Sequence, residues 1–345
     1  MAPVKNDTWR LFVGSGFNPT NTAANQIANT NFLAPRTYVL DPVNGDLLET
    51  NTLTSLSSPT PFVGNQAFAD SVLFDPKAKT YQDDNLARVG LQADLNGQIW
   101  ALWESSEGSG SFDKTKAIID VSSAVSPSQS QPLYYNPAAS GYGVPAAGCV
   151  AYAFGSGSLY ERSSAITGSS IGTSPSFVPR LYVVTHSKAL WKTGNPTVPA
   201  ANIKSKVISS TWTVVNEDNS TKTVTFGKRT QLTGPAFALV PRSGSGDVIA
   251  LFLLYDPDNG CNGFSYVAKV EFSGGDACVP GEPKYTAYEA GVGAASGFTI
   301  AGDKVLVSKS GIGEGQRASL YEPPNISASV GNTNKPKVKW WKELK

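Results

Sequence analysis

Along this chain, apolar residues alternate with polar ones in short runs, and the runs come in pairs bent around tight turns. Val89-Gly90-Leu91-Gln92-Ala93 alternates, Asp94-Leu95-Asn96-Gly97 supplies a turn, and Gln98-Ile99-Trp100-Ala101-Leu102-Trp103 alternates again. Thr37-Tyr38-Val39-Leu40-Asp41-Pro42-Val43-Asn44-Gly45-Asp46-Leu47-Leu48 has the same grammar, with Asn-Gly at the bend where positive φ is needed. Period-two patterning also predicts strands over 8–13, 68–74, 117–121, 149–154, 180–185, 264–272 and 304–308, and a hairpin from 206–215 and 222–227. Val248-Ile249-Ala250-Leu251-Phe252-Leu253-Leu254 is apolar throughout, the signature of a strand buried on both faces. Long amphipathic helical windows are absent, so helix should be scarce.

Composition supports one large all-β unit over residues 1–345. The 33 Gly and 23 Pro are scattered as turns require, and the 13 Tyr, 15 Phe and 7 Trp suit pleated, half-buried surfaces. The strand count would fill about four to five four-stranded units, and repeated strand-turn-strand units suggest radial repetition, which leaves only short sheet edges. Met1 is the only methionine, and Ala2-Pro3-Val4-Lys5 leads straight into a strand, so the start reads as that of an excised fragment or a processed product, lacking upstream regions.

Charge removes several partners. A net charge of +1 with 16% charged residues offers no field to gather nucleic acid or an anionic membrane surface. The basic cluster Lys335-Pro336-Lys337-Val338-Lys339-Trp340-Trp341-Lys342 reads as a last strand with lysines turned to water. No apolar run approaches the length of a membrane span. Of the three cysteines, Cys261 and Cys278 lie in polar loops either side of the 264–272 strand and predict a local disulfide in an oxidising compartment. Cys149 lies in an apolar strand and reads as a small buried hydrophobe.

Candidate chemistry is sparse. His186 is the only histidine, follows Val183-Val184-Thr185 and has no nucleophile-elbow sequence nearby, so it reads as structural. Gly14-Ser15-Gly16 lacks a following helix to lend its N-terminus to a phosphate. The neighbouring carboxylates Asp83-Asp84 and Glu217-Asp218 read as solvated turn charges. Trp100, Trp103, Trp191, Trp212, Trp340 and Trp341 lie at strand spacing and should mostly be core.

Taken in order, these segments resemble the C-terminal β-propeller of the type IV pilus-tip adhesin and assembly (PilY-like) proteins. The residues that carry the likeness are Trp9-Arg10-Leu11-Phe12-Val13-Gly14-Ser15-Gly16-Phe17-Asn18, then Tyr38-Val39-Leu40-Asp41 with Asn44-Gly45, then Ala93-Asp94-Leu95-Asn96-Gly97-Gln98-Ile99-Trp100. Phe154-Gly155-Ser156-Gly157, Cys261-Asn262-Gly263-Phe264-Ser265-Tyr266 and Trp341-Lys342-Glu343 follow. The resemblance implies a quinoprotein-like propeller of four-stranded antiparallel blades, whole, modified or fragmentary. It implies a non-enzymatic adhesin or assembly factor at the pilus tip, on the cell surface or outside the cell, reached through the periplasm. Its partners would be minor pilins or other tip components and a host or abiotic surface.

The family's calcium loop precedes the aspartate matched by Asp94, and that register sets Thr80, Gln82, Asp84 and Arg88 at the ligand positions. Only Asp84 is a carboxylate there and Arg88 is a cation, so no resident metal or cofactor is expected. A shifted register would bring in Asp83. Loops to be presented are residues 83–88, the stretch between Ser163 and Ser176, and the turn between Gly311 and Gly315. The competing readings are a glycan-binding propeller, marked by an exposed tryptophan pair, and a quinoprotein-type dehydrogenase, marked by a bound chromophore.

Overall fold

The computed structural model describes residues 2–5, 8–14, 36–52, 72–74, 87–94, 97–105, 109–121, 131, 133–142, 148–157, 178–187, 189–192, 196–216, 218–234, 236, 238–241, 247–259, 263–273, 278–301, 304–309 and 319–321. Among them the structure is almost wholly β, with one helical turn at Ala189–Lys192 and a 3-10 turn at Ala200–Asn202. No helix among the described residues is long and apolar enough to cross a membrane.

The strands form five sheets in chain order. The first is an antiparallel meander of β1 (Ala2–Lys5), β2 (Thr8–Gly14), β3 (Arg36–Leu40) and β4 (Leu47–Thr52). The second repeats it with β5 (Val72–Phe74), β6 (Val89–Ala93), β7 (Gln98–Trp103) and β8 (Lys114–Asp120), and the third with β9 (Ala138–Tyr142), β10 (Cys149–Gly155), β11 (Arg180–Ser187) and β12 (Ile203–Val207). The fourth is larger and comprises β13 (Thr211–Val215), β14 (Thr221–Thr225), β15 (Gln231–Leu232), β16 (Ala238–Pro241), β17 (Asp247–Asp256), β18 (Phe264–Ser273) and β19 (Lys284–Val292). Its spatial order is β14-β13-β19-β18-β17-β15, with β16 also paired to β17, and β13 runs parallel to β19. The fifth holds β20 (Ala295–Ala301), β21 (Lys304–Lys309) and β22 (Ser319–Tyr321).

Successive sheets stack face to face, and strand alternation decides which residue meets which neighbour. Val4, Phe12 and Val39 of the first sheet pack on Leu102 of the second and on Phe112 just before β8, with Phe12 and Phe112 edge-on at 4.8 Å. On its other face, the second sheet sets Val89, Leu91, Ile99 and Ala101 against Val150, Tyr152, Phe154 and Tyr182 of the third. Residues one step along, Cys149, Ala151, Ala153, Leu181 and Val183, turn to the fourth sheet and meet Val248, Ala250, Phe252 and Leu254. Ile249, Leu251 and Leu253 point the opposite way, onto Ala295 and Val307 of the fifth. The apolar run 248–254 is therefore buried on both faces, as its sequence predicts, and each of its Val, Ile, Leu and Phe side chains contributes about 1.5–3 kcal/mol.

Two expectations are corrected. The predicted strand 206–215 is broken at Ile208–Ser210: the Ile208 amide donates to Pro179 O, ending the third sheet, and the chain turns into β13 of the fourth. Such a break leaves no mark on period-two patterning, because both halves alternate. The second concerns Cys278, which is bonded to Cys149 rather than to Cys261. Cys149 opens β10 in the third sheet and Cys278 follows β18 in the fourth, so sheet stacking brings their Cα atoms to 5.5 Å, a bridging separation that closeness in sequence does not decide. Thr185 Oγ1 and Asn202 Nδ2 donate to Cys278 O at 2.8 and 3.0 Å, holding that turn in place. Cys261 lies outside the described residues.

Candidate functional site

The 89–103 hairpin is built around one carboxylate. Asp94 is fully buried: its Oδ1 accepts the Gln98 amide at 2.8 Å and its Oδ2 accepts the Trp100 indole N–H at 2.9 Å. The turn closes through Gly97 at φ +89°, where a Cβ would meet Gln131 O at 3.1 Å, so a side chain is excluded both by conformation and by space. The aspartate that the family resemblance matches is thus occupied by its own hairpin. Arg88, at the described end of the predicted calcium loop, faces Glu104 at 3.7 Å and donates to Val4 O at 3.4 Å, while Glu104 Oε1 accepts the Gly110 amide at 2.7 Å. Its positive charge thus joins β1, β6 and the end of β7. Thr80, Gln82, Asp83 and Asp84 lie outside the described residues, as do Ser163, Ser176, Gly311 and Gly315.

His186 is 1% exposed in β11, and its Nε2 lies 2.7 Å from the Tyr152 hydroxyl on β10 with the two rings stacked. A histidine so enclosed does not reach a solvent-borne substrate. Beyond it, Gln131 Oε1 accepts from Ser156 Oγ at 2.8 Å and from the Tyr182 hydroxyl at 2.9 Å, and burial holds that phenol well above the ordinary tyrosine range.

Burial also pushes the His186 imidazole down from 6.5 to about 4, against a weaker opposing effect of a backbone hydrogen bond at Ser187. The unfolded chain therefore takes up this proton first as pH falls, and the stability that His186 provides is present above 6.5 and lost progressively down to about 4. The full loss is about 3 kcal/mol. Urea midpoints at pH 7.5 and 4.5 should diverge by more in the wild type than in His186→Gln; equal divergence would remove His186 as the cause.

Among the described residues, exposed large apolar side chains gather at the turn end of the first sheet. Phe12 and Val39 face the second sheet, so strand alternation puts Trp9, Leu11, Tyr38, Leu40 and Leu47 on the opposite face. There Trp9 is 49% and Leu47 57% exposed, and on the β3–β4 connection Val43 is 92% exposed, with Leu48 also open to solvent. The connection is tied by its own side chains: Asp41 Oδ1 accepts the Val43 amide at 2.8 Å, Asn44 Oδ1 accepts the Asp46 amide at 3.1 Å, and Gly45 sits at φ +79°. Val43 is held outward by this geometry. Meanwhile Glu49 and Asn51 of β4 fasten the sheet inward, Glu49 Oε1 accepting Ser111 Oγ at 2.7 Å and the Phe112 amide at 3.0 Å, and Asn51 Nδ2 donating to Phe112 O at 2.9 Å.

Trp100 and Trp212 are core, as their spacing predicts, and Trp103 is half-buried. Trp9 has no second exposed tryptophan beside it among the described residues, and the side chains of Trp191, Trp340 and Trp341 lie outside them. Sequence reasoning overlooked Trp9, Val43, Leu47 and Leu48. The available signal was the vicinal pair Leu47-Leu48 directly after an Asn-Gly turn, which breaks the alternation.

No protein-family model matches the sequence, and no curated protein matches it. Among solved structures, the fold is similar to the crystal structure of the Pseudomonas aeruginosa PilY1 C-terminal domain, with a TM-score of 0.50 and 14% identity over 94% of this chain and 72% of that one. The resemblance drawn from the ordered motifs is thereby met at the level of fold.

Proposed function

We propose that the five stacked sheets are blades of a quinoprotein-like β-propeller, and that the propeller serves as a non-enzymatic adhesive or assembly module of a type IV pilus. The observation that carries the adhesive reading is the gathering of Trp9, Val43, Leu47 and Leu48 at one end of the first sheet, on a backbone that holds them outward. A contiguous exposed apolar patch marks a contact surface. The similarity of fold and the face-to-face stacking of four-stranded meanders support the propeller. The inter-sheet disulfide supports a route through the periplasm to the cell surface. The partners are minor pilins or other tip components on one side and a host or abiotic surface on the other. The stretches around Asp83 and Asp84, between Ser163 and Ser176, and between Gly311 and Gly315, expected from sequence to be presented loops, are part of the same proposal.

The test is retention of purified protein on alkyl-coated and bare silica in a flow cell. Val43→Asp/Leu47→Asp/Leu48→Asp should lower retention on the alkyl surface at least tenfold with little change in melting temperature, since these side chains are already exposed. Retention equal to wild type would show that the patch is not the adhesive surface.

A further inference from the structure

The hairpin β13–β14 leaves an open sheet edge unlike the others described. At those, β5, β15 and β22 are two or three residues long, and register shifts interrupt the pairing of β1, β4, β8 and β20. β12 is part-buried along its length, and β9 packs against β16. Proteins blunt exposed edges with such devices. β14 has none of them: five residues, Thr221-Lys222-Thr223-Val224-Thr225, pair with β13 without a shift, and four of the five are exposed. Its one charge is engaged within the chain, Lys222 Nζ lying 2.6 Å from Glu289 Oε1.

Hydrogen-bond parity fixes which groups the edge offers. Asn216 N donates to Ser220 O and Phe226 N to Ser210 O, so the alternating ladder turns Lys222 and Val224 toward β13. The amides and carbonyls of Thr221, Thr223 and Thr225 therefore point outward. We propose that this edge pairs with β14 of a second copy of the chain, antiparallel about a two-fold axis through Thr223. In that register Thr223 meets its own counterpart, Thr221 meets Thr225, and Lys222 lies opposite Val224, so like charges are kept apart and about six backbone hydrogen bonds form. Centring on Lys222 or on Val224 would pair only two of the three outward residues, forming about four bonds, and the former would also set two lysines opposite each other. Centring on Thr221 or Thr225 would run the pairing off the end of the strand. The Thr223 register is thus the one that uses every outward group of the strand, and it is self-complementary, as an isologous contact requires.

The threonine side chains extend the match. Thr211 and Thr225 already share a hydroxyl hydrogen bond at 3.0 Å, and Thr213 stands opposite Thr223, so pairing two copies would join two hydroxyl ladders into one continuous face.

Sedimentation of the full chain from about 1 to 200 µM should show a concentration-dependent monomer–dimer equilibrium, weakened at least tenfold in Thr223→Pro, which removes an outward amide. In a Cys261→Ser background, Thr223→Cys should form a covalent dimer under mild oxidation much faster than Thr211→Cys, because only position 223 meets itself across the axis. The crosslink keeps the proposal testable if the proline variant misfolds. A chain that stays monomeric throughout, a dimer unaffected by Thr223→Pro, or equal crosslinking at 223 and 211 would each overturn it. Capture of an extended peptide by a strictly monomeric chain would overturn it too, in favour of a foreign strand.

Discussion

Replacing Cys149 and Cys278 together by alanine should lower the unfolding free energy by about 2–5 kcal/mol, and reductant should do the same to the wild type. The bridge closes a loop with a sequence separation of 129, and a loop that long places the chain-entropy effect near the top of that range, at about 5 kcal/mol. It also ties the third sheet to the fourth beside the Thr185 and Asn202 contacts, so its loss loosens an interface rather than one strand. Cys261→Ser should keep both the wild-type midpoint and its sensitivity to reductant. Urea unfolding with and without reductant separates the cases, and a Cys261 variant that loses the reductant response would restore the local bridge expected from sequence.

The second large effect is expected at Asp94. Asp94→Ala removes both acceptors and leaves the Gln98 amide and the Trp100 indole N–H buried without them, a loss of about 3–5 kcal/mol for two charge-assisted bonds. Asp94→Asn retains one carbonyl oxygen and should lose about half of that. The chemical shift of the Trp100 indole proton gives a local reading alongside the urea midpoint. An unfolding free energy for Asp94→Ala within about 1 kcal/mol of wild type would mean that the hairpin does not depend on its carboxylate.

What could be read from the sequence was what neighbours in sequence decide. The turn at Asp94–Gly97 and the strands on either side are set by local chemistry, and the run 248–254 announces two buried faces by having no polar side. The break at 208–210, the parallel pairing of β13 with β19 and the choice of Cys149 over Cys261 depend on residues far apart in the chain, and short-range periodicity carries no term for them. The candidate surface was hidden for a related reason. Trp9 and Leu47 occupy strand positions whose alternation is the same whether a neighbouring sheet covers that face or water does, and only the arrangement of the sheets tells which.

The parallel contact between β13 and β19 also orders events in time. The first three sheets are meanders whose members follow one another along the chain, so each can form from a segment already present. β13 and β14 end at Thr225, and the strand that anchors them begins at Lys284. A chain emerging amino terminus first therefore carries this hairpin unanchored until β17, β18 and β19 have followed, and contacts of such separation are slow to form. During that interval the threonine edge and the β13 backbone are both open, which makes the fourth sheet the stage of folding at which a chaperone or a neighbouring nascent chain has most to gain.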